Sequence, residues 1–271
     1  MRLNRFSDTA LVSVPGDVLR FLPRAMLALA GLSIALPAAA QFKVSSTFQN
    51  STQSGWTITG SDTSGSNPSG VLTAGRGALP VSVNDTAGNG WLRLTGNSAS
   101  RSGKALYTSG AFSPANGVIV EFEYVAWGGS GADGLAFFLY DATENMSGAS
   151  YGGSLGYCWG AGGYLGVGLD AFGNFSNGDA DNGCPAGDGP GVGPDNVVVR
   201  GPEWYVNPYV GGAFVSGGID AAYVTGRPTP NRVRYAMVPN GSGGYRVTVA
   251  HGSNGAAPTT LLSNLNFPYV A

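Results

Sequence analysis

Asp170, Phe172 and Asn174 stand on alternate residues where a short apolar run, Tyr164 to Leu169, ends. A carboxylate, a main-chain carbonyl and a side-chain amide spaced this way can converge on one point. Hard oxygen ligands of these three kinds are what calcium prefers. The loop that follows adds Asn177, Asp179, Asp181 and Asp188. Asp179-Ala-Asp181 resembles part of a calcium-binding loop, but the glycine and closing glutamate of an EF-hand are missing. Upstream, Gly131-Ala132-Asp133-Gly134 opens a second apolar run, Leu135 to Tyr140, and Gly152-Gly153-Ser154-Leu155-Gly156 follows it. Three such strand-end loops meeting at one sheet edge make a shallow polar site.

Catalytic constellations are weaker. The single histidine, His251, lies in a strand-like run with no serine or cysteine nucleophile motif beside it, and a packed or solvent-facing imidazole is the expectation. Glu121 and Glu123 share one face of a strand, as a hydrolase pair would, but they sit mid-strand without a further acidic partner. No catalytic residue is therefore assigned, and the chain is expected not to be an enzyme.

The order Ala-Asp-Gly-Leu-Ala-Phe-Phe-Leu (132–139), Gly-Gly-Ser-Leu-Gly (152–156) and Leu-Asp-Ala-Phe-Gly-Asn (169–174) resembles the L-type (legume-type) lectins, in particular their secreted bacterial branch. More weakly, the likeness runs from about Phe42 to the C-terminus. The resemblance implies a two-sheet jelly roll of the concanavalin kind that binds glycans with the help of calcium. It implies calcium ligands at Asp170, Phe172 (carbonyl) and Asn174, with Asp179 as the fourth and Asn177 or Asp181 as alternatives. It also implies sugar contacts from Asp133, Gly153 and Asn174, stacking by Phe172, and a cis bond between Ala132 and Asp133. The position where legume members carry a glutamate for a transition metal is Gly168, so a second metal is not expected. Members usually continue with a further sugar-contacting loop and a final strand; with its end at Ala271, this sequence is expected either to be truncated there or to close its sandwich differently. Trp127, Tyr151 and Trp159 flank the loops and belong to the core or the rim.

These residues need a scaffold, and composition bounds it. Of 271 residues, 43% are hydrophobic, 45 are glycine and only 11% are charged. That balance fits one large all-β domain with many turns and argues against disorder. The net charge is −2 and no basic cluster exists, so nucleic acid is not an expected partner.

Alternation locates the strands. Val118 to Trp127 places Val118, Val120, Phe122, Tyr124 and Ala126 on one face, a period of two held over ten residues. Arg232 to Val238 alternates Val233, Tyr235 and Met237 with polar residues, turns at Asn240-Gly-Ser-Gly243 and returns through Tyr245, Val247 and Val249 as a hairpin. Further strands are expected at Trp56–Thr59, Trp91–Thr95, Ala105–Phe112, Asn196–Val199 and Thr259–Leu265. Leu135–Tyr140, apolar on both faces, is expected at the centre of a sheet. The result is an antiparallel two-sheet sandwich without sustained helix.

Ala25 to Ala40 is an uncharged apolar run after Arg20 and Arg24, ending Ala38-Ala39-Ala40. It is expected to be a secretory signal peptide cut after Ala40, with translation starting nearer Val18, leaving residues 41–271 as a secreted or periplasmic domain without a membrane span. Cys158 and Cys184 fit one disulfide in an exported chain, tying the acidic loop of residues 178–191 back to the strand before it. Besides the glycan-binding reading, an adhesive or structural surface protein using the sandwich as scaffold, and a glycoside hydrolase, are the other functions this sequence allows.

Overall fold

The computed structural model describes residues 42–63, 67–77, 79, 83–144, 146, 151–177, 184 and 188–270. The expected signal peptide, its cleavage site, and Asp179 and Asp181 lie outside the described residues. Every described strand belongs to one compact unit, within residues 45–271.

Two four-stranded antiparallel sheets form the sandwich. One has the order β6 (Gly134–Tyr140), β7 (Gly163–Asp170), β8 (Asn196–Arg200), β9 (Tyr209–Phe214). The other has the order β12 (Thr259–Phe267), β11 (Tyr245–Gly252), β10 (Asn231–Pro239), β5 (Val118–Tyr124). Two short pairs accompany them: β1 (Trp56–Gly60) with β4 (Gly103–Tyr107), and β2 (Val71–Leu72) with β3 (Leu92–Arg93). The all-β sandwich expected from the alternation is what the chain forms.

Between the large sheets lies the core, because each strand turns its alternate apolar residues inward. Phe122 and Tyr124 from β5 meet Val233, Tyr235 and Met237 from β10, and Leu165, Val167 and Leu169 from β7 face them. The face of β5 turned away from the sandwich core carries Glu121 and the buried Glu123, which pair across the ladder with Arg234 (2.9 Å) and Arg232 (3.2 Å). Each of these two carboxylates thus has an arginine partner on the neighbouring strand β10. His251 is 3% exposed, and its Nε2 lies 2.9 Å from the Tyr124 hydroxyl, whose hydrogen goes to the Ile219 carbonyl.

Strand β6 corrects the expectation of a central position. It is the edge of its sheet, and it is apolar on both faces because both faces are covered. Leu135, Phe137 and Leu139 join the sandwich core, while Ala136, Phe138 and Tyr140 pack on a second cluster with Tyr157, Phe175 and the cysteines. Two-sided hydrophobicity reports coverage, and here a loop supplies it. Cys158 and Cys184 are bonded, both fully buried in this cluster. Closing a loop over a sequence separation of 26 destabilises the unfolded chain by about 3.5 kcal/mol in the loop-entropy picture.

Strand β7 is buried along its whole length. Its outward positions are glycines for a steric reason. A Cβ at Gly166 would meet the Tyr157 ring at 2.5 Å, and one at Gly168 would meet the Phe175 ring at the same distance. The second cluster therefore lies flat on the β7 backbone, and no side chain of glutamate size fits at Gly168.

Candidate functional site

At the end of β7 the chain leaves the sheet at Asp170 and makes one helical turn, α1 (Asn174–Asn177). Asp170 builds this turn. Its Oδ1 accepts from the Gly173 N–H at 2.8 Å and its Oδ2 from the Ser176 N–H at 3.0 Å. Ser176 fastens the turn to the next segment: its Oγ accepts from the Gly193 N–H at 3.1 Å, and its one hydroxyl hydrogen is shared between the Gly173 (2.6 Å) and Gly191 (2.9 Å) carbonyls. Asp170 is fully buried, and burial pushes its carboxyl up to about 6 against these backbone donors, with the charge of Asp133 adding to the rise.

Asp133 reaches the same place from the far side of the ladder. Gly134 pairs with Asp170 in the β6–β7 register, and the Asp133 carbonyl accepts from both Ala171 N–H (3.0 Å) and Phe172 N–H (3.1 Å). The Ala132–Asp133 bond is cis, as expected. Gly134, at φ 147°, must be glycine: a Cβ there would overlap the Leu169 carbonyl oxygen. Burial raises the Asp133 carboxyl, and a hydrogen bond from the Asn174 side chain opposes that rise.

The third segment is Gly152–Gly156. Gly153 lies against the Asn174 side chain so closely that any Cβ would overlap the amide. Asn174 is 8% exposed, and its Oδ1 is buried without a hydrogen-bond partner among the described residues. Leu155 packs toward Gly134 and Gly168 and fixes this loop over the end of β7. Phe172, at the outside of the turn, is half exposed.

Asp133, Gly153, Asp170, Phe172 and Asn174 thus come together from three separate segments. Asp188, placed by sequence in the same acidic loop, goes elsewhere: its carboxylate takes the fully buried Arg200 at 2.8 Å and the Tyr209 N–H at 2.8 Å. Trp127 belongs to a neighbouring support, bridged to Ala221 and lying under the Arg227 guanidinium at 5.7 Å. Tyr151 and Trp159 are more than half exposed on the loop that carries Gly153.

Sequence reasoning missed Arg200. Its Nε donates to the Phe175 carbonyl (2.8 Å) and its Nη1 to the Asn207 carbonyl (2.9 Å), so it holds α1 in place from beneath. An arginine at the end of a Val-Val-Val run reads as a strand terminus, and nothing local says that it folds inward. The loop Val215–Tyr223 was missed too. It binds the Asp133 loop edge to edge, with Ala221 N–H on the Ala126 carbonyl (2.9 Å) and Tyr223 N–H on the Gly129 carbonyl (3.2 Å).

One feature of the donor set suits a cation. A buried amide oxygen without a donor, beside a buried carboxylate, is an arrangement that a hard cation completes, since buried polar atoms otherwise have partners. Among the described residues no three His, Cys, Asp or Glu side chains gather into a metal-holding group. The turn after β7 supplies one such side chain, Asp170, together with the Asn174 amide and the Phe172 carbonyl. No described helix is long and apolar enough to cross a membrane. No family model, curated protein or solved structure matches the chain.

Proposed function

We propose that this chain is an exported, calcium-dependent carbohydrate-binding protein of the L-type lectin kind, without catalytic activity. The observation that carries the reading is the meeting of Asp133, Gly153 and Asn174 over the Asp170 turn, with Asn174 Oδ1 buried and unpartnered among the described residues. Asp170, Asn174 and the Phe172 carbonyl would hold calcium, with Asp179 as the expected fourth ligand. The ion would neutralise buried carboxylate charge and order the three loops.

The sugar contacts follow from the chemistry of each group. The Asp133 carboxylate, half buried and adjacent to the Asn174 amide, offers acceptors for sugar hydroxyls. The Asn174 amide nitrogen, directed at Asp133, offers a donor beside them. Gly153 lets the ligand approach the backbone, and the exposed Phe172 ring offers an apolar face. The disulfide fits an oxidising compartment, which supports export.

The test is glycan-array binding by protein produced from the full chain, with calcium and with a chelator. Calcium-dependent binding that Asp133→Ala abolishes, while the unfolding temperature holds, is the expected result. A second reading rests on Asp170, whose oxygens already accept backbone N–H groups and so could serve only as a turn anchor in an adhesive scaffold. Folded protein that binds no glycan and whose stability ignores chelator would favour that reading.

A further inference from the structure

Six residues back along β7 from Asp170, about 20 Å away at strand rise, Tyr164 joins a second group of aromatic rings. Its ring stacks on Trp204 at 5.8 Å between centroids and 26° between planes. Trp204 neighbours Tyr205 at 6.5 Å, and Tyr205 neighbours Tyr269 at 5.1 Å. Three consecutive large side chains are presented to solvent here: Trp204 at 47%, Tyr205 at 56% and Val206 at 50% exposure.

The backbone that presents them is held in an unusual shape. A 3-10 turn, Glu203–Tyr205, ends in two successive left-handed residues, Val206 at φ 65° and Asn207 at φ 51°. A β-branched residue in this region is a conformational outlier that persists only where its surroundings enforce it. The enforcement is visible. Asn207 is 1% exposed, its N–H donates to the Pro202 carbonyl at 2.9 Å, and its carbonyl takes Arg200. The Tyr157 hydroxyl donates to the Gly201 carbonyl at 2.8 Å, and Gly201 N–H donates to the Pro208 carbonyl. The turn is fixed from below while its aromatic rings stay outside.

We infer that the Glu203–Val206 turn, with Tyr269, is a second carbohydrate-binding site, which takes the C–H faces of β-linked pyranose rings. Aromatic faces edged by phenol and indole polar tips suit a ligand that is apolar on one face and polar at its rim. From Gly201 to Pro208 there is no lysine or arginine, and Glu203 is exposed, so the ligand is uncharged or cationic and not a phosphate. Three projecting side chains are far short of the roughly 800 Å² per partner that a standard protein interface covers. Ring centroids 5.1 and 6.5 Å apart, tilted by 41° and 49°, suit successive residues of a twisted oligosaccharide, and a turn whose backbone is already held loses less entropy on binding.

This site needs no calcium, which separates it from the one at Asp170. The experiment measures binding of cellohexaose, chitohexaose and laminarihexaose in EDTA by calorimetry and by saturation-transfer NMR. At least one hexasaccharide is expected to bind and to receive saturation at its ring C–H protons. Binding should persist in Asp133→Ala and weaken about tenfold or more in Trp204→Ala/Tyr205→Ala, as loss of stacking contacts predicts. Absence of binding and of saturation transfer with all three sugars in EDTA would overturn the inference. So would unchanged affinity in a double variant that still folds, including the case where that variant alters only self-association in sedimentation. If the double variant does not fold, saturation transfer on the unaltered protein decides alone. Loss of calcium-dependent array binding with hexasaccharide binding intact would count against the Asp170 site only.

Discussion

The side-chain amide of Asn174 occupies the space into which a Cβ at residue 153 would project. Gly153 and Asn174 are therefore fitted to each other, and neither can change without moving the other. Replacing Gly153 by alanine should push the amide away from Asp133 and cost about 1–3 kcal/mol in stability, the usual penalty of overpacking. Calcium and glycan affinity should fall together in this variant, as read by calorimetry. Unchanged affinities would mean that Asn174 is not part of either site.

Glycine positions along β7 give a paired prediction. Gly168→Ala should destabilise by about 1–3 kcal/mol, because its methyl group would press on the Phe175 ring. Gly226→Ala is the control: nothing lies within 4 Å of its Cβ and its φ is not in the left-handed range. There the loss of unfolded-chain freedom should leave stability unchanged or raised by up to about 1 kcal/mol. Urea midpoints of the two variants check both signs.

Acid should weaken the protein through its only histidine. Burial lowers the His251 imidazole from 6.5 to about 4, so the folded state stays neutral while the unfolded chain takes up a proton. The contribution is complete above pH 6.5 and is lost as pH falls toward 4. It amounts to something on the order of 3 kcal/mol. His251→Gln removes this titration, so the gap in unfolding free energy between pH 7 and pH 4.5 should be smaller in the variant. An equal gap in both proteins would contradict the assignment.

Two buried tyrosines should respond in opposite ways to loss of the hydroxyl. Tyr124 commits its oxygen to the Ile219 carbonyl and to His251, and with its one hydrogen donated to Ile219 it accepts from Nε2. Tyr124→Phe leaves the His251 Nε2 donor unsatisfied, while the Ile219 carbonyl keeps the Asn231 amide at 3.1 Å, and should cost about 1–3 kcal/mol. Tyr235 is fully buried and its hydroxyl has no hydrogen-bond partner among the described residues. Tyr235→Phe should be neutral or stabilising by up to about 1 kcal/mol. Thermal unfolding of the two variants tests the contrast.

Local pattern was enough for the strands with one face in the core. β5 and β10 show period two because alternate side chains meet the opposite sheet, and Val233, Tyr235 and Met237 are all buried as that period requires. The hairpin turn at Asn240 was also legible, since the Asn240 side chain accepts from Ser242 N–H and Gly244 N–H and so closes the turn by itself. β9 was not legible: Gly211 and Gly212 break its pattern, and only the ladder with β8 makes it a strand. The β5 alternation overran as well, for the chain continues apolar to Trp127 while the ladder stops at Tyr124.

The sequence by itself determined the alternating strands, the candidate oxygen ligands and the cysteine pair, because each is a property of neighbours along the chain. Tertiary structure decided which of the acidic residues share a site. Asp133 and Asn174 lie far apart in sequence and meet only because β6 and β7 pair in a register that sets Gly134 opposite Asp170. Asp188, close to the same motif along the chain, was drawn away by Arg200, whose buried charge had to be paired. The same necessity pins the turn that holds Trp204 outward. Contacts between distant segments, and the cost of leaving a buried charge alone, are set by packing that no local pattern encodes.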